Sequence, residues 1–600
     1  MMSTPSVQER QDSNGPCDRV AFLGRGPGLG LPPLLEFIVH CCATFGTMDE
    51  HLRAVQRALD IPQTKAGPLR EVLRELLDRG LLVSERQLFG GVEPRPRAAV
   101  AIKTLAIPSR AGSRLLPRAV RSYSHHMGEF GRRQRILVSE DGPGEPDADG
   151  RRACAEACDP ACELQFLGAE QRRALARDVL ERSGAPAEVV EFALFGGGLH
   201  APTYGANRNA ILLATAGECV FTGDDDTLCV PLTLGPGGRP DVLALAGERE
   251  EAEMWCFADR QEALASARPA ALDVFSAHEQ LLGASTLSAA AEAFGQSRLG
   301  PNSPCGHLLD ALLGDSGRVA ITYNGSLGDS GLYSARSILM AENPNTRGRL
   351  FRDAETLERA LSGREMGRVM PHRTISHGGP HVGMFMGIDN RELLPPFFPV
   401  YRNEDGVFAC GMALLRPDAQ FGHLPFVLQH APPAGRSAIP FIPPRARVSE
   451  VLMCCLRTAP EPGAGLSSES RMRAVGEHFV GLARTPEPEF LALIGEACKS
   501  RARSLVSLLE SLLRRFGRQP AWWAREVERN CERMRSYVNS DDEGMPEEIV
   551  RGWRAAERPG AMRRLLGSFG SLLLWWPELF GAARALRQAG AVWAVPSQRS

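Results

Sequence analysis

Lysine is almost absent from this sequence. Only Lys65, Lys103 and Lys499 are lysines, so 66 of the 69 basic residues are arginines, spread along the whole chain. This even spread favours a coding bias over a localised binding patch. Net charge is lacking too, because 71 acidic residues oppose the 69 basic ones and leave a formal charge of −2. A nearly neutral chain lacks the basic surface that binds polyanions, and we expect no nucleic-acid partner.

Long apolar runs and a regular disulfide pattern are also missing. The most apolar stretch, residues 572–580, is interrupted by Pro577 and Glu578, and no run reaches the roughly 18 apolar residues of a membrane span. We expect no transmembrane segment; contact of residues 572–580 with a membrane surface is an alternative to packing inside the protein. The 15 cysteines are odd in number and scattered, which favours reduced thiols and a cytoplasmic protein.

A chain of 600 residues is longer than one core usually supports, and its pattern changes suggest four parts. Residues 1–30 read as a loose tail, and residues 31–92 as a small unit of three helices (34–44, 48–59 and 69–79) and a strand. Residues 93–445 alternate apolar runs with helical segments, which is typical of an α/β fold with crossover helices. Residues 446–600 show only amphipathic helical patterns and read as a helical C-terminal domain.

The unit at residues 31–92 has the element order of a winged helix. Its third helix carries as many acidic as basic residues, which does not favour DNA binding. The segment resembles the small winged-helix domains that hold leader peptides in peptide-modifying enzymes. This resemblance makes a peptide one candidate acceptor, and an accessory packing domain is the alternative.

Three consecutive carboxylates follow a short apolar strand at residues 218–221. Asp224, Asp225 and Asp226 repel one another unless a cation binds. Asp224 and Asp226 are two residues apart and point the same way on an extended chain, and such oxygen ligands hold Mg²⁺ or Mn²⁺. A solvated turn or helix cap is the alternative. The DxDxT and DDxxD spacings of aspartyl phosphatases and prenyl-diphosphate enzymes are not met, because Leu228 occupies the required position.

Segments on both sides of this aspartate run carry a family resemblance. They comprise Gly205, Ala206, Asn207, Arg208 and Asn209 before Ala216 and Gly217; Ile107, Pro108, Ser109 and Arg110 with Leu116, Arg118, Ala119 and Ser122; Ile136, Leu137 and Val138 with Glu140 and Asp141; and residues 391–400 with 402–406. Together they resemble glycosyltransferases with the GT-A fold, most closely family 2. The resemblance covers roughly residues 98–230, lapses over an insertion at about 231–390, and then returns.

The resemblance implies a GT-A-like, mostly parallel sheet with flanking helices and a nucleoside diphosphate sugar as donor. By analogy with the family, the donor is contacted by Pro108, Arg110, Asp141, Asn207, Arg208, Asn209 and Asp225. It further implies that an acidic pair, Glu404 and Asp405, lies beside the acceptor and that Asp405 takes its proton. A solvated turn at residues 403–406 is the alternative for this pair. His430 matches the position of a histidine near the metal, with His423 as its rival.

Weaker candidates complete the sequence reading. Cys154, Cys158 and Cys162 are four residues apart, but Pro160 interrupts them and no fourth zinc ligand follows. Acceptor contacts could also come from the segments around His278 and Asp329.

The sequence therefore predicts a metal-dependent glycosyltransferase that uses Mn²⁺ or Mg²⁺ and proceeds with inversion. Two alternatives remain. A nucleotidyltransferase would use the same fold and metal but attack the α-phosphate, and a non-catalytic protein would keep the fold to bind a peptide or nucleotide.

Overall fold

A computed structural model describes most of the chain. The described residues are 19–22, 32–42, 45–94, 100–142, 147–199, 201–235, 239–247, 252–303, 306–330, 334–378, 383–433, 435–460, 463, 465–542 and 544–597. Helices and strands alternate along them, and the predicted α/β class is confirmed.

The N-terminal unit contains strands β1 and β2 and helices α1 to α4. Their bounds are β1 Val20–Phe22, α1 Pro33–Cys41, α2 Met48–Leu59, α3 Ala66–Asp78, β2 Leu82–Ser84 and α4 Glu85–Phe89, with a 3-10 turn at Gln63–Lys65. The prediction of a loose tail is wrong for β1, which pairs antiparallel with β2 and places Val20 opposite Ser84. A three-residue strand has too little periodicity to be read locally, and its partner lies about 60 residues away. The rest of the predicted tail lies outside the described residues.

The unit has its own apolar core but is also docked on the larger body. Helix α4 brings Phe89 against Phe294, with ring centroids 6.0 Å apart. Arg19 donates hydrogen bonds to the carbonyls of Leu299 and Gly300 at 3.2 and 2.9 Å. Contacts of Phe89 and Arg19 therefore attach the unit to the larger body.

The first half of the main sheet is built by residues 102–223. Its elements are β3 Ile102–Arg110, α5 Leu116–Glu129, β4 Arg135–Asp141, α6 Ala148–Ala157, β5 Glu163–Leu167, α7 Ala169–Ser183, α8 Ala187–Phe195, α9 Tyr204–Ala214 and β6 Cys219–Gly223. The strands are parallel in the order β5-β4-β3-β6. The chain runs outward from β3 to β5 and then crosses back to the other side of β3. The gap between β3 and β6, at their carboxyl ends, is a topological switch point, where ligands bind in open α/β sheets.

The strand prediction at 98–107 was too short at its C-terminal end. Strand β3 continues through Pro108 to Arg110 because residues 104–110 pair with β4, whereas its register with β6 ends at Ala106. A proline is tolerated where one side of the strand is unpaired. Residues 98 and 99 lie outside the described residues.

The second half of the sheet comes largely from the region predicted to be an insertion at 231–390. Its strands are β7 Thr227–Leu234, β8 Arg239–Ala246, β9 Glu253–Cys256, β10 Ala267–Pro269, β11 Leu299–Ser303, β12 Arg318–Asp329, β13 Glu365–Val369, β14 His372–Ser376, β15 Phe385–Asp389 and β16 Ala419–His430. The helices between them are α10 Arg260–Ala265, α11 Val274–Glu279, α12 Thr286–Gly295, α13 Gly306–Leu313, α14 Ser334–Leu339, α15 Pro344–Leu350, α16 Ala354–Ser362 and α17 Glu404–Leu415.

This region is not an appendage. The order continues β6-β15-β12-β16-β14-β8-β11, so β15 and β12 lie at the centre of the sheet. Of the seven described strands from β5 to β16 along this order, only β15 runs opposite to the others. The segment predicted as an insertion therefore supplies central strands of the sheet. The pairings that place them there join segments distant in sequence, and local pattern does not reveal them.

The C-terminal helices are confirmed as helices but do not form a separate core. They are α18 Val448–Thr458, α19 Ser468–Arg484, α20 Glu487–Arg515, α21 Ala521–Val538, α22 Glu547–Gly552 and α23 Arg558–Gln588, with a 3-10 turn at Ala555–Glu557. Apolar residues of α18, α19 and α23 belong to the same buried cluster as α8, α9 and β15. A final strand, β17 Val595–Pro596, pairs with the edge strand β5, contrary to the expectation of no further strand.

The apolar stretch at 572–580 lies inside α23, and Pro577 does not end the helix. Trp576 is fully buried and its indole donates a 2.7 Å hydrogen bond to the carbonyl of Leu394. Trp576 therefore packs inside the protein, which is the alternative to membrane contact that the sequence favoured for this stretch. Within the described residues, no helix has the length and apolar character needed to cross a membrane.

Candidate active site

The three aspartates lie at the switch point, where β6 turns into β7. The amide of Thr227 donates to the carbonyl of Asp224 at 3.1 Å, and the Thr227 hydroxyl donates to the same oxygen at 2.6 Å. Tyr123 of α5, fully buried, holds the Thr227 hydroxyl at 2.9 Å. Residues 224–226 thus form a tight turn, which we call the acidic turn. Its backbone is held in place by Thr227 and Tyr123.

Arg208 of α9 joins the acidic turn to the second acidic pair. Its Nη2 donates to Asp224 Oδ1 at 2.9 Å and its Nε donates to Glu404 Oε1 at 3.1 Å. Its Nη1 is buried and has no hydrogen-bond partner among the described residues. Two carboxylates 180 positions apart in the chain are therefore held by one guanidinium.

Burial and crowding make these acids weak. Burial raises the pKa of Asp224 to about 6; Asp226 and Asp225 add to this rise, and Arg208 opposes it. Burial, followed by the charge of Asp405, raises the pKa of Glu404 to about 7 despite Arg208. The charged forms of Asp224 and Glu404 are therefore costly in this environment, and a bound cation would stabilise them.

Asp226 faces a histidine whose orientation is fixed. His430, the last residue of β16, has Nε2 3.3 Å from Asp226 Oδ2 and Nδ1 2.6 Å from the carbonyl of Asp329. Because a carbonyl can only accept, Nδ1 carries the proton and the other ring nitrogen faces the acid. Burial by itself would raise the pKa of Asp226 and lower that of His430. The hydrogen bond between the two side chains outweighs burial, so the pKa of Asp226 is lowered and that of His430 is raised.

The third acid of the turn contacts the end of β3. Ser109 donates its hydroxyl to Asp225 Oδ2 at 2.6 Å. Burial raises the pKa of Asp225, opposed by the hydrogen bonds from Ser109 and Ser113. Arg110 follows with an exposed side chain, and Pro108 lies in the paired part of β3. Asp225 therefore lies beside the strand end predicted to hold the donor.

The other predicted donor contacts are engaged within the protein. Asp141 pairs with Arg172 at 3.1 Å and accepts a hydrogen bond from the Thr203 hydroxyl. Asn207 donates to the carbonyls of Ser109 and Ser139 at 3.3 and 3.0 Å, and so ties together the ends of β3 and β4.

Asn209 is fully buried and bonds to the backbone of Ala193 and Phe397. The side-chain amides of Asn207 and Asn209 therefore hold the scaffold together and are already occupied by backbone carbonyls.

The second acidic pair begins helix α17 and does not form a free turn. Asn403 has a left-handed backbone (φ 67°) and precedes the helix. Asp405 accepts hydrogen bonds from the amides of Gly383 at 3.0 Å and Gly406 at 2.9 Å. Asp405 is partly exposed, whereas Glu404 is buried against Arg208, so Asp405 is the more accessible carboxylate of the two.

The acids fit a divalent cation by chemistry but are not arranged as a ready site. Among the described residues, no group of three or more His, Cys, Asp or Glu side chains is placed to hold a metal ion. Asp224 and Asp226 point to Arg208 and His430, respectively. Carboxylate oxygens and one imidazole nitrogen suit Mn²⁺ or Mg²⁺, so a cation would have to draw Asp224 and Asp226 away from these partners.

The remaining histidine candidates have structural partners. His278 is fully buried against Thr322 and Asn324 at 2.8 and 3.1 Å, and burial lowers its pKa to about 3. His423 contacts the Ser376 hydroxyl at 2.9 Å, away from the acidic turn.

The other weak candidates are also engaged. Asp329 is paired with Arg364 through both carboxylate oxygens. The Cys154 thiol is buried, which raises its pKa to about 12, and this disfavours the thiolate that zinc requires.

Sequence reasoning missed one charged group at the site. Arg436, in the proline-rich loop after β16, has Nη2 3.9 Å from Asp226 Oδ2. A lone arginine among 66 carries no periodic signal, so only the fold could reveal it.

Comparison of the chain with protein-family profiles, curated proteins and solved structures returns no match.

Proposed function

We propose that the protein is a metal-dependent glycosyltransferase with a GT-A-like catalytic fold, moving a sugar from a nucleoside diphosphate to an acceptor with inversion. One observation carries the proposal. An acidic turn at the switch point between β3 and β6 is joined, through Arg208, to a second acidic pair at the start of α17. Such a site has an acid cluster for a metal–diphosphate and a separate carboxylate for the acceptor.

Asp224, Asp226 and Nε2 of His430 would hold the cation. The cation supplies positive charge that neutralises the diphosphate. Ser109, near the end of β3, and Asp225 of the acidic turn are hydrogen-bonded to each other, and the ribose of the donor would contact the protein beside them. The fixed backbone of the acidic turn and the fixed His430 ring would support these ligands once the Asp224 and Asp226 side chains turn from their present partners towards the cation.

Asp405 is the proposed base. The acceptor oxygen forms a bond to the anomeric carbon while the bond from that carbon to the diphosphate oxygen breaks. The bonding electron pair leaves with the diphosphate, and the proton of the acceptor hydroxyl passes to the Asp405 carboxylate. The two backbone amides that bond to Asp405 hold it in place without neutralising it. The acceptor is unassigned, and the N-terminal unit keeps a peptide among the candidates.

A donor screen tests the proposal. Nucleoside diphosphate release would be followed across common sugar nucleotides with and without Mn²⁺, and we expect release from at least one donor that depends on the metal. Asp405→Asn should lower the rate by about 10² to 10⁴ with little change in nucleotide affinity. Asp541→Asn, at an exposed carboxylate between α21 and α22, should behave as wild type. Metal-independent release, or none with any donor, would contradict the proposal.

A further inference from the structure

The acidic turn has an arginine on each of two sides, and the two are in different situations. Arg208 is buried, with 8% of its side chain exposed, and it is committed to Asp224 and Glu404. Arg436 is 40% exposed and reaches Asp226 only at 3.9 Å. This distance is too long for a hydrogen bond, and Arg436 makes none to the described part of the chain. Its guanidinium donors therefore remain available.

The loop that carries Arg436 is held in place by three other arginines. Arg118 donates to the carbonyl of Ala431 at 2.6 Å, and Arg260 donates to that of Pro432 at 3.2 Å. On the far side, Arg364 donates to the carbonyl of Ser437 at 2.9 Å. The backbone on both sides of Arg436 is thus fixed by side chains from α5, α10 and the start of β13. The position of Arg436 does not depend on its own weak contact with Asp226.

The same framework ties the loop to the proposed metal ligand. Arg364 pairs with both carboxylate oxygens of Asp329, and the carbonyl of Asp329 fixes the ring of His430. His430 and the loop therefore share one support. An exposed guanidinium with unused donors therefore lies beside Asp226, on a loop whose backbone is held at Ala431, Pro432 and Ser437.

We infer that Arg436 binds the diphosphate of the nucleotide donor and exchanges Asp226 for phosphate oxygens when a cation occupies the acidic turn. This inference rests on the proposed function. Without a cation, Arg436 offsets the charge of Asp226 across 3.9 Å. Once a cation neutralises that acid, the attraction is lost. The planar guanidinium of Arg436 would then bind two oxygens of the diphosphate through parallel hydrogen bonds.

Two binding measurements on the full chain test this, with opposite expected signs. Mn²⁺ alone, titrated calorimetrically, should bind Arg436→Ala about two- to fivefold more tightly than wild type, since an exposed competing charge is removed. In saturating Mn²⁺, the tightest of UDP, GDP, ADP, CDP and dTDP should bind the variant about 10- to 100-fold more weakly, as expected for lost charge-assisted hydrogen bonds. The nucleotide affinity of Arg436→Lys should lie between those of wild type and Arg436→Ala, because lysine keeps the positive charge but cannot form two parallel hydrogen bonds.

Arg529→Ala is the matched control, because Arg529 is also an exposed arginine paired with an acid, Glu526, on α21. It should change neither affinity. Unchanged nucleotide affinity in Arg436→Ala would overturn the inference while leaving the proposed function intact. Parallel weakening of Mn²⁺ and nucleotide would also overturn it, because that result indicates a structural ion pair. Failure of the wild type to bind any of the five nucleotides with Mn²⁺ would overturn both proposals.

Discussion

Replacing Glu404 with glutamine should remove a pH-dependent cost from the folded protein. Glu404 is buried at the start of α17, and burial together with the charge of Asp405 raises its pKa from 4.5 to about 7. The folded carboxyl binds its proton more tightly than the unfolded one. Its favourable contribution to stability is therefore complete below about pH 4.5 and is lost as pH rises to about 7.

The size of the effect follows from the two pKa values. The difference between 4.5 and about 7 corresponds to about 3 kcal/mol of unfolding free energy. A 600-residue chain has an unfolding entropy of roughly 1.3 kcal/mol/K, so about 3 kcal/mol shifts the midpoint temperature by about 2 °C. Glutamine keeps an oxygen that can accept from Nε of Arg208 but has no charge to bury.

The assay is calorimetric unfolding of metal-free wild type and Glu404→Gln between pH 5 and 8.5. The midpoint of the variant minus that of wild type should rise by about 2 °C across this range. Asp405→Asn removes the neighbouring charge that helps raise the Glu404 pKa. In that variant the stability contributed by protonated Glu404 should therefore be lost over a lower pH range than in wild type. Asp541→Asn should give a flat difference. A flat or falling difference for Glu404→Gln would refute the reasoning and mean that Arg208 keeps Glu404 ionised throughout.

Three further outcomes are expected. Asp226→Ala should abolish Mn²⁺-dependent nucleotide binding in calorimetry with little change in unfolding midpoint, because it removes a proposed ligand and no core volume. Equal nucleotide affinity of variant and wild type in Mn²⁺ would contradict the proposed metal site. Deleting residues 1–92 should preserve nucleotide binding but lower the unfolding midpoint, because Phe89 no longer covers α12; an unchanged midpoint would mean that docking contributes nothing. Trp576→Ala should cost about 3–5 kcal/mol in denaturant unfolding, and Trp575→Ala, at a half-buried position, should cost less; equal costs would contradict the packing described for α23.

Local signals in the sequence predicted local features well. Helix α2 has the predicted bounds, 48–59, because Thr47 and Glu50 form a capping box and the apolar period is regular. The acidic turn does follow a short buried strand, since hydrophobic runs with polar ends are readable from the chain alone.

Features that depend on distant partners were not predictable. The central position of β15 follows from its pairing with β6, and the sequence of residues 385–389 contains no pattern that predicts this pairing. Asn207 has a sequence context typical of a ligand contact, yet its amide holds two strand ends. Arg208 was predicted from its sequence context as a donor contact, but its position between Asp224 and Glu404 was not, and Arg436 had no distinguishing sequence context at all. What separates them is burial and the acids they face, which only tertiary structure supplies.

The order of strands in the sheet also determines when each strand can pair with its neighbours during synthesis. Strand β6 is flanked by β3, which is synthesised earlier, and by β15, which is synthesised about 165 residues later and places Ile388 opposite Val220. At about 5–20 residues per second, β6 waits roughly 8–30 seconds on the ribosome for its second neighbour. During that interval a fully apolar face and an unpaired edge are open to other chains. Expression conditions that slow elongation through residues 224–389 should therefore raise the demand for chaperones, even though the finished sheet buries this strand completely.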